Sequence, residues 1–162
     1  MSFSSHRFSD NQKIPNNLDS RAIVFIDSRL SNCNTLIQKV ILEARVIVIG
    51  LKDDGIKEVT RILNSTCCRE VYLISHGSPG CLYLGNSELS LNTLIHYELE
   101  LQSWFQISSP GNNFSCPKLF LSGCDVAAGD AGEEFMTKLN SITGATIAAS
   151  VSIINNNIFN SQ

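Results

Sequence analysis

Five short runs of apolar, mostly β-branched residues punctuate this chain, and what lies between them restricts what it can fold into. They are Ala22-Ile23-Val24-Phe25-Ile26, Arg45-Val46-Ile47-Val48-Ile49, Val71-Tyr72-Leu73-Ile74-Ser75 (with Glu70 leading it), Leu119-Phe120-Leu121-Ser122, and Ala145 to Ser150. The first is apolar without interruption, the pattern of a strand buried on both faces. Between the first two runs Leu36, Ile37, Val40 and Ile41 recur at helical spacing; between the next two Ile56, Val59, Ile62 and Leu63 do the same. These spacings predict helices over about 33–44 and 56–63. Strand, helix, strand in this rhythm implies right-handed βαβ units. The expected fold class is a three-layer α/β domain with a mainly parallel sheet and helices on both faces.

The later chain carries more punctuation. His76-Gly77-Ser78-Pro79-Gly80 reads as a turn, and Cys81 to Gly85 as a short hairpin arm. Leu91, Leu94, Ile95, Leu99 and Leu101, with Trp104 and Phe105, predict one bent helix or two short ones up to about Gln106. Ser108 to Pro117 reads as a surface loop. Asp130 is placed to cap the next helix, with Glu133 three residues on in capping-box spacing, and Gly144 to stop it. Phe135, Leu139 and Ile142 form that helix's stripe. Residues 1–20 are polar and aperiodic, a flexible lead; 21–150 form the domain; 151–162 are a polar, Asn-rich tail.

Bulk properties exclude several function classes. A net charge of −3 without any Lys/Arg cluster argues against a nucleic-acid partner. No apolar run approaches the roughly 18–20 residues of a membrane helix. No signal-peptide pattern opens the chain, so a cytoplasmic, reducing location is the default expectation. The six cysteines are too sparse for a disulfide scaffold. They include no Cys-x-x-Cys pair, so neither metal nor cofactor is expected. A dinucleotide is not expected either, because no Gly-x-Gly-x-x-Gly follows the first strand.

Chemistry is expected at two strand ends. One run breaks at His76-Gly77 and another at Gly123-Cys124, each presenting a reactive side chain beside a glycine. In open parallel sheets, ligands bind outside the carboxyl ends of the strands. If the two strands are neighbours, His76 and Cys124 meet there as base and nucleophile. An imidazole or a helix N-terminus lowers a thiol's pKa and supplies thiolate at neutral pH. Gly77 and Gly123 let backbone N–H groups approach a substrate carbonyl. The plainer readings also stand: His76 satisfying a turn, Cys124 packing tightly. Ser75 and Ser122 lack a Gly-x-Ser-x-Gly elbow. Two readings are open for Asp27 at the end of the first strand, substrate binding to a basic side chain or capping of the next segment. Asp125 follows Cys124 and is expected to face a backbone N–H, while Asp53 and Asp54 read as solvated turn residues.

The stretches Val71–Gly85 (VYLISHGSPGCLYLG) and Leu119–Ser150 (LFLSGCDVAAGDAGEEFMTKLNSITGATIAAS) resemble domain of unknown function 4347. Ile23–Asp27 and Val46–Leu63 resemble that family's earlier strands. The family occurs largely near the N-termini of large bacterial surface proteins, cyanobacterial ones among them. The resemblance implies a caspase-like (caspase–haemoglobinase) sandwich related to cysteine peptidases of the legumain, gingipain and separase type. It implies His76 as base or proton donor, Cys124 as nucleophile, and the N–H groups of Gly77 and Cys124 as oxyanion donors. The separation of His and Cys is close to the roughly 50 residues of caspase-type enzymes. The implied partner is a polypeptide substrate or the protein's own chain, the alternative being a non-catalytic peptide-binding module. Family members continue with a Thr-Gly turn and a Gly-Gly-Asp-Trp strand, which Val151 to Gln162 does not carry. The chain is therefore expected to lack a sixth strand, as a fragment, a truncated paralogue or a decayed copy.

Overall fold

The computed structural model describes residues 22–31, 34, 44–106, 116–123 and 125–149. The expected lead and tail lie outside the described residues, as do most of the helix expected over 33–44 and most of the loop Ser108–Pro117.

Strands β1 (Ala22–Asp27), β2 (Arg45–Ile49), β3 (Glu70–Ile74), β7 (Lys118–Ser122) and β8 (Thr146–Ala149) form one parallel sheet in the order β2-β1-β3-β7-β8. The α/β class with a mainly parallel sheet is thus the observed one. Every residue of β1 is buried, as its unbroken apolar run requires of a central strand. The edge strand β8 instead alternates exposed and half-buried positions.

Helix α1 (Gly55–Leu63) connects β2 to β3, α2 (Glu98–Ser103) lies between β3 and β7, and α3 (Gly129–Thr143) connects β7 to β8. These three connections step across the sheet in the same direction, so right-handed crossovers put all three helices on one face. There Ile23, Phe25, Val71, Leu73, Leu119 and Leu121 share one core with Val59, Ile62, Phe135 and Leu139. The step from β1 to β2 runs the opposite way, which makes the β1/β3 boundary the topological switch point. The sheet's second face carries a separate cluster, Ala22, Val24, Ile26, Tyr72 and Ile74, with Tyr72 stacked on Phe120 at 4.5 Å.

Several local expectations change. The segment after Leu91 is two short elements, a 3-10 turn (Leu94–Tyr97) and then α2. Splitting the segment changes its phase, so Ile95 and Leu99 do not join the buried stripe and stand 70% and 80% exposed. Leu94, Leu101 and Trp104 carry the packing instead. Trp104 Nε1 donates to Thr60 Oγ1 at 2.8 Å, which satisfies the indole against α1. Asp54 is not merely solvated: it caps α1, accepting from the Lys57 N–H at 3.1 Å. Asp53 accepts from the Gly50 N–H at 3.0 Å.

The hairpin arm is larger than expected. Strands β4 (His76–Ser78), β5 (Cys81–Leu84) and β6 (Ser87–Ser90) form an antiparallel sheet beside the main one. At its far turn Gly85 takes φ 57°, and a Cβ there would stand 2.2 Å from the Asp53 carbonyl oxygen. Gly85→Ala is therefore expected to cost at least about 2 kcal/mol, from left-handed strain and a backbone clash together. Urea melts would show this as a lowered midpoint, and an unchanged midpoint would contradict the tight corner.

Candidate functional site

The register of β3 and β7 brings the two glycine-bearing strand ends together. Ile74 pairs with Ser122, and the Ser75 N–H donates to the Ser122 carbonyl at 2.9 Å, one residue past the end of β3. Gly123 then packs closely against the arm, so that a side chain there would have to displace the end of Leu82. A Cβ on it would lie 2.9 Å from Leu82 Cδ1, 3.4 Å from the Ser75 oxygen and 3.5 Å from Gly77 Cα. The glycine after His76 and the glycine before Cys124 are thus in close apposition.

His76 begins β4 rather than ending β3. It sits exposed, opposite Tyr83, and Ser75 is buried beneath it, donating its hydroxyl to the His76 carbonyl at 2.9 Å. Gly77 lies opposite Leu82. Cys124 lies outside the described residues; its chain neighbours Gly123 and Asp125 are described. His96 is exposed on the 3-10 turn, away from these loops in sequence, and His6 lies outside the described residues.

The loop after Cys124 is held at several points. Asp125 takes φ 57°, the sole non-glycine with positive φ among the described residues. Its carbonyl accepts from the Ala128 N–H at 2.9 Å. Val126 is buried in the main core, and its carbonyl accepts from the Gly80 N–H at 2.9 Å. That bond ties the β4–β5 turn to the Cys124 loop. Gly132 packs so closely that a Cβ would lie 2.3 Å from the Ala127 carbonyl carbon. Helix α3 opens at Gly129 with Ala128 as N-cap and no side-chain capping bond. Asp130 is therefore not the cap; it sits in the first turn, where its charge favours the helix dipole. Gly144 ends the helix at φ 68°, its N–H donating to the Asn140 carbonyl.

Asp27 ends β1 at the switch point with no solvent exposure. Its Oδ1 accepts from the Arg29 backbone N–H at 2.8 Å and from Nε at 3.0 Å, and its Oδ2 accepts from an Arg29 terminal nitrogen at 3.0 Å. Oδ2 also accepts from the Gly85 N–H at 2.7 Å. Burial pushes this carboxyl up, but the donors from Arg29 and Gly85 outweigh burial and hold it below the ordinary carboxylate range. The carboxylate ties β1 to the far turn of the arm while holding the segment that follows it. Sequence reasoning missed the Gly85 partner, which no local pattern announces.

The described thiols differ in setting. Burial pushes Cys68 up to about 11 and also raises Cys81, whereas Cys67 and Cys116 are exposed. Among the described residues no group of His, Cys, Asp and Glu is arranged to hold a metal, and no helix is long and apolar enough to cross a membrane.

Comparison with known proteins fits this arrangement to a family. No curated protein matches the chain. Among solved structures, the crystal structure of caspase-1 from Spodoptera frugiperda is similar at 20% identity and a TM-score of 0.38, over 67% of this chain and 50% of that one. A likeness of that size carries no argument about site or activity. The model of the family described as domain of unknown function (DUF4347) matches residues 23–160, which covers every strand above except the first residue of β1 and runs past the last of them. The chain belongs to the DUF4347 family.

Proposed function

We propose that this chain is a caspase-like cysteine peptidase domain, with Cys124 as nucleophile and His76 as general base and acid. The observation that carries the reading is the apposition of the two loops, Gly123 against Gly77 and Ser75. The β3–β7 register ends at Ile74 and Ser122, and the chain segments leaving both strand ends carry His76 and Cys124. The Gly80–Val126 bond fixes the same two loops a second time.

In this mechanism His76 takes the Cys124 proton, and the thiolate attacks the scissile carbonyl of a polypeptide. The backbone N–H groups of Gly77 and Cys124 receive the oxyanion. Collapse expels the amine, which takes the proton from His76 and leaves a thioester. Water, deprotonated by His76, then releases the acid and restores the thiol. The chemistry calls for no metal or cofactor. The substrate is another polypeptide or a segment of the protein's own chain, as in self-processing of a larger protein.

The test is incubation of the folded protein with a diverse peptide library. Cleavage that stops after thiol alkylation is the expected result. Peptides that bind without being cut would contradict it and mark the domain as a binding module on the same fold.

A further inference from the structure

Asp27 is a buried ionisable group that the mechanism above does not use. Four donors occupy its carboxylate, two on each oxygen: the Arg29 backbone N–H and Nε on Oδ1, an Arg29 terminal nitrogen and the Gly85 N–H on Oδ2. The bond to Gly85 joins residues 58 apart in sequence and closes a circuit that runs through His76. Ile26, the residue before Asp27, pairs with Ile74 across β1 and β3. Two residues on from Ile74 stands His76, which pairs with Tyr83 across β4 and β5. Two residues on from Tyr83 comes Gly85, whose N–H returns to Asp27 at 2.7 Å. Neighbouring strands stand about 4.8 Å apart and a strand rises about 3.4 Å per residue, so every side of this circuit is short.

The corner at Gly85 has little slack. A Cβ there would meet backbone on two sides, the Asp53 carbonyl oxygen at 2.2 Å and that of Gly50 at 2.9 Å. On the inner side of β5, Leu82 and Leu84 are fully buried, and a Cβ on Gly55 would lie 2.5 Å from the Leu84 carbonyl oxygen. Close packing of this kind transmits a displacement rather than absorbing it. The Asn86 N–H, donating to the Asp53 carbonyl at 2.8 Å, ties the same turn to the loop after the edge strand β2. Asp27 ties it to β1, the strand beside β3.

We infer that Asp27 is a positioning residue: through Gly85, its carboxylate holds the arm where β4 presents His76. The inference rests on the peptidase reading above, and Arg29 supplies the control. Arg29→Ala removes the ion pair but leaves two backbone N–H donors, from residue 29 and from Gly85, one on each carboxylate oxygen. Asp27→Asn offers those same donors one oxygen and one NH2 group, so one of the two bonds is lost.

The experiment combines cleavage kinetics, on a peptide that the wild type cuts, with amide hydrogen exchange of the full chain by NMR. Both are run well below the melting temperature of each variant. Asp27→Asn is expected to lower kcat roughly 10–100-fold with KM within about twofold, since the base moves and the substrate does not. It is also expected to speed exchange of the β4 and β5 amides about tenfold or more relative to those of β3. Arg29→Ala, despite its lost stability, is expected to keep kcat within about twofold and the exchange ratio unchanged. If Asp27→Asn does not fold, Asp27→Leu combined with Arg29→Met is read in its place, with the same slowing expected, because replacing both halves of a buried pair costs far less than breaking it. Wild-type kcat or an unchanged exchange ratio in the folded Asp27 variant would overturn the inference. Equal slowing in Arg29→Ala would overturn it too, by assigning the effect to stability alone. A wild type that cuts no peptide is a different failure, that of the peptidase reading, and the exchange ratio then still decides whether Asp27 holds the arm.

Discussion

An Arg29→Ala protein is expected to lose about 3 kcal/mol of stability, the lower end of the range for breaking a buried pair. Asp27 keeps a carboxylate at zero exposure, and Arg29 supplies three of its four hydrogen bonds. One of those three comes from the backbone and survives the substitution, and the side chain of Arg29 is itself 39% exposed and partly screened by water. Both facts hold the loss to the lower end. The melting temperature should fall by roughly 6–12 °C for a chain of this size. The pH dependence gives the sign check. Because the folded-state pKa of Asp27 lies below its ordinary 3.8, its stabilisation is present above about that pH and is lost as pH falls through the folded value. The gap between wild type and Arg29→Ala should therefore narrow in strong acid. Thermal melts across pH check this, and a gap that stays constant below pH 3.8 would contradict the ion pair's role.

The second large effect concerns catalysis. Cys124→Ala is expected to remove peptide cleavage to background, a loss on the order of 10⁵-fold or more, since no other group can form the thioester. His76→Ala should cost less, roughly 10²–10⁴-fold. A cysteine retains a few per cent thiolate at neutral pH without its base, and its sulfur is intrinsically nucleophilic. The residual rate in His76→Ala should rise with pH as hydroxide replaces the imidazole. Cleavage kinetics on a peptide that the wild type cuts would measure all of this. Equal activity in wild type and Cys124→Ala would remove the thiol from the mechanism.

How far the fold could be read follows from where its information lies. The central strands were legible because β1 and β3 are buried on both faces, and continuous apolar runs announce that directly. The right hand of βαβ units then placed the helices of α1 and α3. The third arm strand was not legible: Ser87-Glu88-Leu89-Ser90 holds a single apolar residue, and its pairing with β5 makes it a strand. Ile95 and Leu99 fit a helical stripe on paper, but the break between the 3-10 turn and α2 rotates them outward. The cap of α3 was misplaced because Asp130 and Glu133 match the capping box, while Gly129 at φ 64° starts the helix earlier.

The candidate site divides along the same line. His76-Gly77 and Gly123 could be brought together from sequence, because strands that end alike in a parallel sheet end at the same edge. The ties that hold them, Gly80 to Val126 and Asp27 to Gly85, join residues with no pattern in common. Asp125 was read through its charge, whereas the structure gives it a backbone role that an isolated Asp does not signal.

The most direct test of the His76–Cys124 dyad is the pH dependence of iodoacetamide alkylation, resolved for each cysteine in the folded protein. Cys124 should label fastest, with an apparent pKa well below the ordinary thiol value of about 8.5 that rises in His76→Ala. Cys68, pushed up to about 11, and buried Cys81 should lag. A Cys124 that titrates like an ordinary thiol, unmoved by His76→Ala, would contradict the account.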